Sequence, residues 1–299
     1  MFRLNLILAS GVALVASVAV AGSSDVYDLH GAPEPVLHLR KDAPKAGPSR
    51  QSSPLLKYGG GNVLSNVKTY AIFWGSQWTS ASFAGDKISG MDSFFNGFGG
   101  SSYAMTSKEY YDSSGFIASG STYGGHVIDT STPPARNPQV STIVAEGCKA
   151  TSNNPDPNAV YFMFTSTTAG NVNYCAWHSW GTCSNGAKIQ VAYMPNIDGI
   201  AGCDPVDKTT NNSQGLAAIA NVTGHELLEA ITDPRGTGWV DSSGAENGDK
   251  CAWSFPSTNN GISTFVNGAQ FKIQMEWSNA AYTNGTGELN RSGQKGCIY

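Results

Sequence analysis

The chain has 299 residues, only 13 per cent of them charged, and its 22 acidic and 18 basic residues leave a formal net charge of −4. So sparse and slightly negative a charge excludes a nucleic-acid binder, which needs a basic face. Beyond residue 21 no uncharged apolar run approaches the ~20 residues that span a bilayer, so no membrane association is expected of the mature chain.

The first 21 residues have the layout of a secretory signal peptide. Arg3 supplies the positive charge, Leu6 to Val20 form an apolar run rich in Ala, Ser and Gly, and Ala19-Val20-Ala21 is a small-x-small cleavage site. Residues 22–57 carry Pro33, Pro35, Pro44, Pro48 and Pro54 among polar and basic residues with little apolar periodicity, the pattern of a disordered leader or propeptide. Residues 58–299 are long enough to bury one core and are expected to form a single domain.

Within that domain Val67–Trp74 reads as a buried strand, and residues 88–98 as an amphipathic helix whose Met91, Phe94, Phe95 and Phe98 face the core. Residues 158–165 and 188–194 read as further strands, and Phe271–Trp277 as another with period-two alternation. Helices and strands mix without a strict βαβ rhythm or an internal repeat, which predicts an α+β fold with a mixed sheet.

Six cysteines, Cys148, Cys175, Cys183, Cys203, Cys251 and Cys297, all lie in the second half. An even number in an exported chain points to disulfides, with fifteen connectivities open; a four-cysteine zinc site is less favoured because no CxxC pair is present. Cys175 and Cys183 bracket an aromatic stretch carrying His178, and a bridge between them would pin that histidine in a loop as a metal ligand or transition-state donor, or simply as core. Asn211, Asn221, Asn284 and Asn290 each begin an N-x-[ST] sequon, a weak signal for surface glycans in a chain this rich in Asn, Ser and Thr.

Ser213 to Pro234 is the segment whose residues demand chemistry. Its alanines and leucines favour helix, and Pro234 ends it at or before Asp233. His225 and Glu229 then stand one turn apart on one face, the spacing of the two helical ligands in HExxH zinc enzymes with Glu in place of the second His. Glu226 beside them has the position of a general base. Asp241, Glu246 and Asp249 in the following turn-rich stretch are the candidates for a third ligand, with Glu246 and Asp249 preferred. Short motifs of this kind usually mark a solvated helix face; here Ile219, Val222, Leu227, Leu228 and Ile231 surround it, and buried carboxylates need a cation or a strong partner.

These residues resemble the phosphate-induced, exordium-like family of secreted proteins. The resemblance runs from about residue 64 to residue 251. It rests on Ile72-Phe-Trp-Gly75, Thr106-Ser-Lys-Glu-Tyr-Tyr111, Cys175-Ala-Trp-His178, Gly224-His-Glu-Leu-Leu-Glu-Ala-Ile-Thr-Asp-Pro234 and Glu246-Asn-Gly-Asp-Lys-Cys251. Asp233 stands where plant members often have Asn. The resemblance implies location and shape more firmly than a reaction, plant members being apoplastic proteins linked to growth.

The expectation is a secreted, disulfide-stabilised, zincin-like α+β monomer. In the leading reading it is a zinc metalloendopeptidase or related hydrolase acting on extracellular protein or peptide. His225 and Glu229 hold zinc with Asp249 or Glu246, Glu226 is the base, and His178 takes part in catalysis. The alternative is a non-catalytic exordium-like module with a structural metal, binding cell-wall glycan or a receptor through aromatics such as Trp78, Tyr103 and Trp180. Asp241–Asp249 also has the alternating oxygen donors of a calcium loop, without the EF-hand order. No G-x-S-x-G elbow is present, which argues against a serine hydrolase.

Overall fold

A computed structural model describes residues 33–44, 53–118 and 120–299. The signal-peptide reading lies outside them. Six strands form one mixed sheet: β1 (Val36–Leu39), β2 (Val67–Trp74), β3 (Ser121–Asp129), β4 (Ala159–Thr165), β5 (Tyr174–Thr182) and β6 (Lys188–Met194). Their order is β1-β5-β6-β4-β2-β3. β3, β2, β4 and β6 run parallel to one another, while β5 is antiparallel to both β6 and β1. The fold is α+β as expected.

β4 lies in the middle and is buried along its whole length, which explains its unbroken apolar run Ala-Val-Tyr-Phe-Met-Phe. Ala159, Tyr161 and Met163 pack on one side of the sheet with Ile143 and Val144 of helix α2 (Val140–Ala150). Val160, Phe162 and Phe164 pack on the other with α1 (Lys87–Phe98) and α3 (Gln214–Thr232). Met91, Phe94, Phe95 and Phe98 are all core residues, as their spacing predicts. α3 starts where the Ser213 hydroxyl accepts the Leu216 N–H and stops at Asp233, ahead of Pro234. Every residue from Leu216 to Thr232 is buried, so α3 is a central helix with apolar residues on all sides. Among the described residues no helix is long and apolar enough to cross a membrane.

Four sequence readings are corrected. The Pro-rich stretch before residue 58 contains a strand, β1, whose Val36 and His38 point inward; four residues are too short a run to stand out as periodic, and they become a strand only against the edge of β5. The single strand expected over Phe271–Trp277 is two short pieces, β7 (Gln270–Lys272) and β8 (Glu276–Trp277), because the residues between them are buried beside α3 instead of paired. Trp78 and Tyr103 are core residues and not a sugar shelf. Asn221 is fully buried within α3, so its sequon is no glycan site.

Three disulfides form: Cys148–Cys183, Cys175–Cys203 and Cys251–Cys297. Cys175 and Cys183 therefore do not bridge each other. Both sit in or next to one extended strand, β5, whose length keeps them apart, and His178 is a strand residue between them. Peptide mapping without reduction should recover these three pairs. A Cys175–Cys183 linkage would contradict the extended register of β5.

Candidate metal centre

α3 carries His225, Glu226 and Glu229 toward β5 on one side and toward a short helix, α4 (Asn247–Lys250), on the other. Close approach of α4 depends on Gly248. A Cβ there would lie 2.7 Å from His225 Nδ1 and 2.9 Å from Glu229 Oε1. Gly224 does the same one residue before the motif, where a Cβ would meet the Tyr103 hydroxyl at 2.8 Å. These two glycines let the polar groups of four elements converge.

The predicted residues come together. His225 Nε2 is 3.1 Å from Glu229 Oε1 and 3.8 Å from Asp249 Oδ1. His178 Nδ1 is hydrogen-bonded to Glu226 Oε2 at 3.0 Å and lies 3.6 Å from Glu229 Oε2, while its Nε2 is 3.7 Å from Glu246 Oε1. His178, His225, Glu226, Glu229 and Glu246 are each at most 2 % exposed; Asp249 keeps 22 % of its side chain accessible.

Residues that the sequence did not single out complete the cluster. His38 of β1 stacks on His225 with ring centroids 3.8 Å apart. Glu276 accepts the Tyr103 hydroxyl at 2.8 Å and the Asn247 amide at 3.1 Å. Gln274 accepts the Trp253 N–H and donates from its amide nitrogen to the Gly248 carbonyl and to His225 Nδ1. With the amide placed this way, a neutral His225 carries its hydrogen on Nε2. His178 is the opposite case: its Nδ1 faces a carboxylate, leaving Nε2 as a bare lone pair. Only the Gln-x-Glu spacing in Phe271–Trp277 was a signal for these residues, and period-two alternation reads it as a solvent face.

Electrostatics make the cluster costly. None of Glu226, Glu229, Glu246, Asp249 and Glu276 pairs with a lysine or arginine among the described residues. Burial, and then repulsion from Glu229 and Asp249, pushes the Glu226 carboxyl far above the ordinary range. Burial first and neighbouring acids second do the same to Glu246, and burial pushes Glu229 up to about 8. Burial lowers His178 and His225 to about 3, so both imidazoles are neutral at pH 7.

The unsatisfied atoms point inward together. Glu226 Oε1, Glu229 Oε2, both Glu246 carboxyl oxygens, His178 Nε2 and His225 Nε2 are buried and lack a hydrogen-bond partner among the described residues, although His225 Nε2 and Glu229 Oε1 are at contact distance. Three overlapping sets, His38–His225–Glu226, His178–Glu226–Glu229 and His225–Glu229–Asp249, each bring ligand atoms within 4.8 Å of one another. Nitrogen and carboxylate donors left bare in the interior fit a divalent cation. Asp241 does not belong to this set. Its oxygens accept the Lys250 ammonium and the Ser243 and Ala245 N–H groups, so the expected calcium loop has its first donor already engaged.

This charge pattern sets a pH dependence for the cation-free protein. Folded, Glu229 keeps its proton to about pH 8, whereas unfolded it loses it near the ordinary ~4.3. Between those values the folded state binds more protons, and stability falls as pH rises. Buried neutral histidines act the other way, but only below about pH 6.5, where unfolded imidazoles protonate. The melting temperature of chelator-treated protein is therefore expected to fall from about pH 6.5 to 8, and a saturating divalent cation to remove the fall; a flat profile without cation would contradict the charge assignment. In comparisons with known proteins, no protein-family model and no curated protein matches the chain.

Proposed function

We propose that the chain is a secreted, metal-dependent hydrolase of polypeptides, a zinc metalloendopeptidase built on a zincin-like HExxE helix. The observation that carries this reading is the set of buried nitrogen and carboxylate atoms on α3 and around it that have no hydrogen-bond partner, and no lysine or arginine to balance them, among the described residues. Three disulfides fit an oxidising, extracellular destination. Zinc suits mixed histidine and carboxylate donors, and His225, Glu229 and Asp249 are the residues that would hold it, with Glu246 and His178 as the further candidates. For His225 to bind through Nε2, the Gln274 amide has to turn so that its oxygen accepts the Nδ1 hydrogen.

A bound zinc supplies Lewis acidity toward a carbonyl and makes water a better nucleophile near neutral pH. The protein groups supply the proton path. His178 Nδ1–H holds one Glu226 oxygen at 3.0 Å and leaves Oε1 free. In its carboxylate form Glu226 takes a proton from the attacking water at Oε1 and returns it to the departing amine as the peptide C–N bond breaks. Glu226 would reach that form once a bound cation offset the burial and the neighbouring acids that raise its carboxyl.

One observation favours the second reading, an exordium-like secreted module with a structural metal: the candidate ligands other than Asp249 are closed off from solvent, as structural sites are. Glycan binding draws no comparable support, since of the three aromatics proposed for it only Trp180 is partly exposed. Turnover of a peptide library separates the two. Glu226→Gln is expected to lower it by about 10²–10⁴-fold while leaving metal content unchanged; undiminished turnover would remove Glu226 from the mechanism.

A further inference from the structure

We infer that residues 33–44 are a latency segment: their strand, β1, lies along β5 in the groove the site offers to substrate, the chain turns at residues 41–43, and the site opens when the segment leaves. This rests on the hydrolase reading above and adds its regulation. β1 is the outermost strand of the sheet, antiparallel to β5, with Val36 opposite His178 and His38 opposite Ala176. α3 packs against both β5 and β1, and His38 of β1 stacks on His225 of the metal centre.

The grip on the segment is mostly through its backbone. Ser179 donates its hydroxyl to the Glu34 carbonyl, Trp253 its indole N–H to the Leu39 carbonyl, and Arg291 its guanidinium to the Lys41 carbonyl. The Arg40 and Lys41 N–H groups donate to the Asn173 and Gly202 carbonyls. Strand addition held by main-chain hydrogen bonds, with alternate side chains entering pockets, is how a groove binds peptide of varied sequence. Trp253 makes its bond from φ +59°, a left-handed backbone that a bulky side chain rarely adopts and that the surrounding contacts have to enforce.

His38 is the side chain delivered to the site. It is fully buried, neither ring nitrogen has a hydrogen-bond partner among the described residues, and it packs between His225 and the Trp253 ring. A strand serving only the core would place an apolar residue there, because a buried imidazole without partners costs stability. The groove also continues past the segment. β5 runs on to Thr182, and a cavity of about 990 Å³ bounded by Glu34, Val144, Trp180 and Thr182 follows it. Finally, nothing covalent holds the segment apart from the chain itself, since all three disulfides join residues between 148 and 297. Hydrolysis of one peptide bond between residues 44 and 53, water adding OH to the carbonyl and H to the amine, frees it to dissociate.

The test uses the full chain with a recognition sequence for a site-specific protease inserted between Pro44 and Ser53. After cutting, retention of the N-terminal fragment is followed by mass spectrometry in the presence of excess free peptide of residues 33–44. His178 accessibility is followed by diethyl pyrocarbonate labelling of the chelator-treated protein. The expected result is loss of the fragment and at least about tenfold faster labelling, the factor by which a site open a tenth of the time slows any reagent. A fragment that does not exchange, with labelling unchanged, overturns the inference. So does an uncut chain that hydrolyses peptides as fast as the cut one, although the hydrolase reading then stands. Opening on cutting without any peptide turnover supports the segment's role as a cover and removes the hydrolase reading instead. Should the cut chain lose its cooperative melt, uncut His38→Ala carries the test: faster His178 labelling supports the inference and an unchanged rate overturns it.

Discussion

Carboxyl groups buried without a lysine or arginine partner among the described residues are the constraint on which the rest of this structure turns. Glu226, Glu229, Glu246 and Glu276 sit in the interior with neutral imidazoles for company, and an isolated buried charge is expensive enough that the groups hold protons well above their ordinary range. A chain has two ways to relieve that: protonate the acids or bring a cation. Only the second makes use of the bare lone pair on His178 and the free oxygens of Glu226, Glu229 and Glu246.

The fold exists in a form that concentrates these groups. A six-stranded sheet supplies one rigid wall, with α1 and α2 fixing its two faces and β5 turned antiparallel at the side where α3 passes. α3 is buried on every side, so its three polar motif residues have no route to water except through the cluster. Gly224 and Gly248 remove the side chains that would hold Tyr103 and α4 at a distance, and the Cys251–Cys297 bridge ties the end of α4 to the C-terminal strand. His178 reaches the cluster only because β5 pairs along its length with β6, which is itself pinned in the core.

What was legible in the sequence was what is local. The helix carrying His225, Glu226 and Glu229 follows from its alanines and leucines and a closing proline, and the strands over residues 67–74 and 188–194 follow from apolar runs that the sheet largely buries. The disulfide pairing was not legible, because it depends on which elements the topology brings together. His38 was hidden in four residues that form a strand only against an existing edge, and Glu276 in an alternation that ordinarily marks a solvent face. Glu246 and Asp249 were nameable as donors, but their convergence with His178 and His225 is a property of the folded chain alone.

The most direct test of the central claim is elemental analysis of the purified mature protein beside a His225→Ala variant, both dialysed without chelator. The account predicts about one divalent cation per chain, zinc foremost, in the unaltered protein and its loss in the variant. A folded protein that holds no cation, and takes up none when zinc is supplied, would contradict it and leave the buried acids as protonated structural groups.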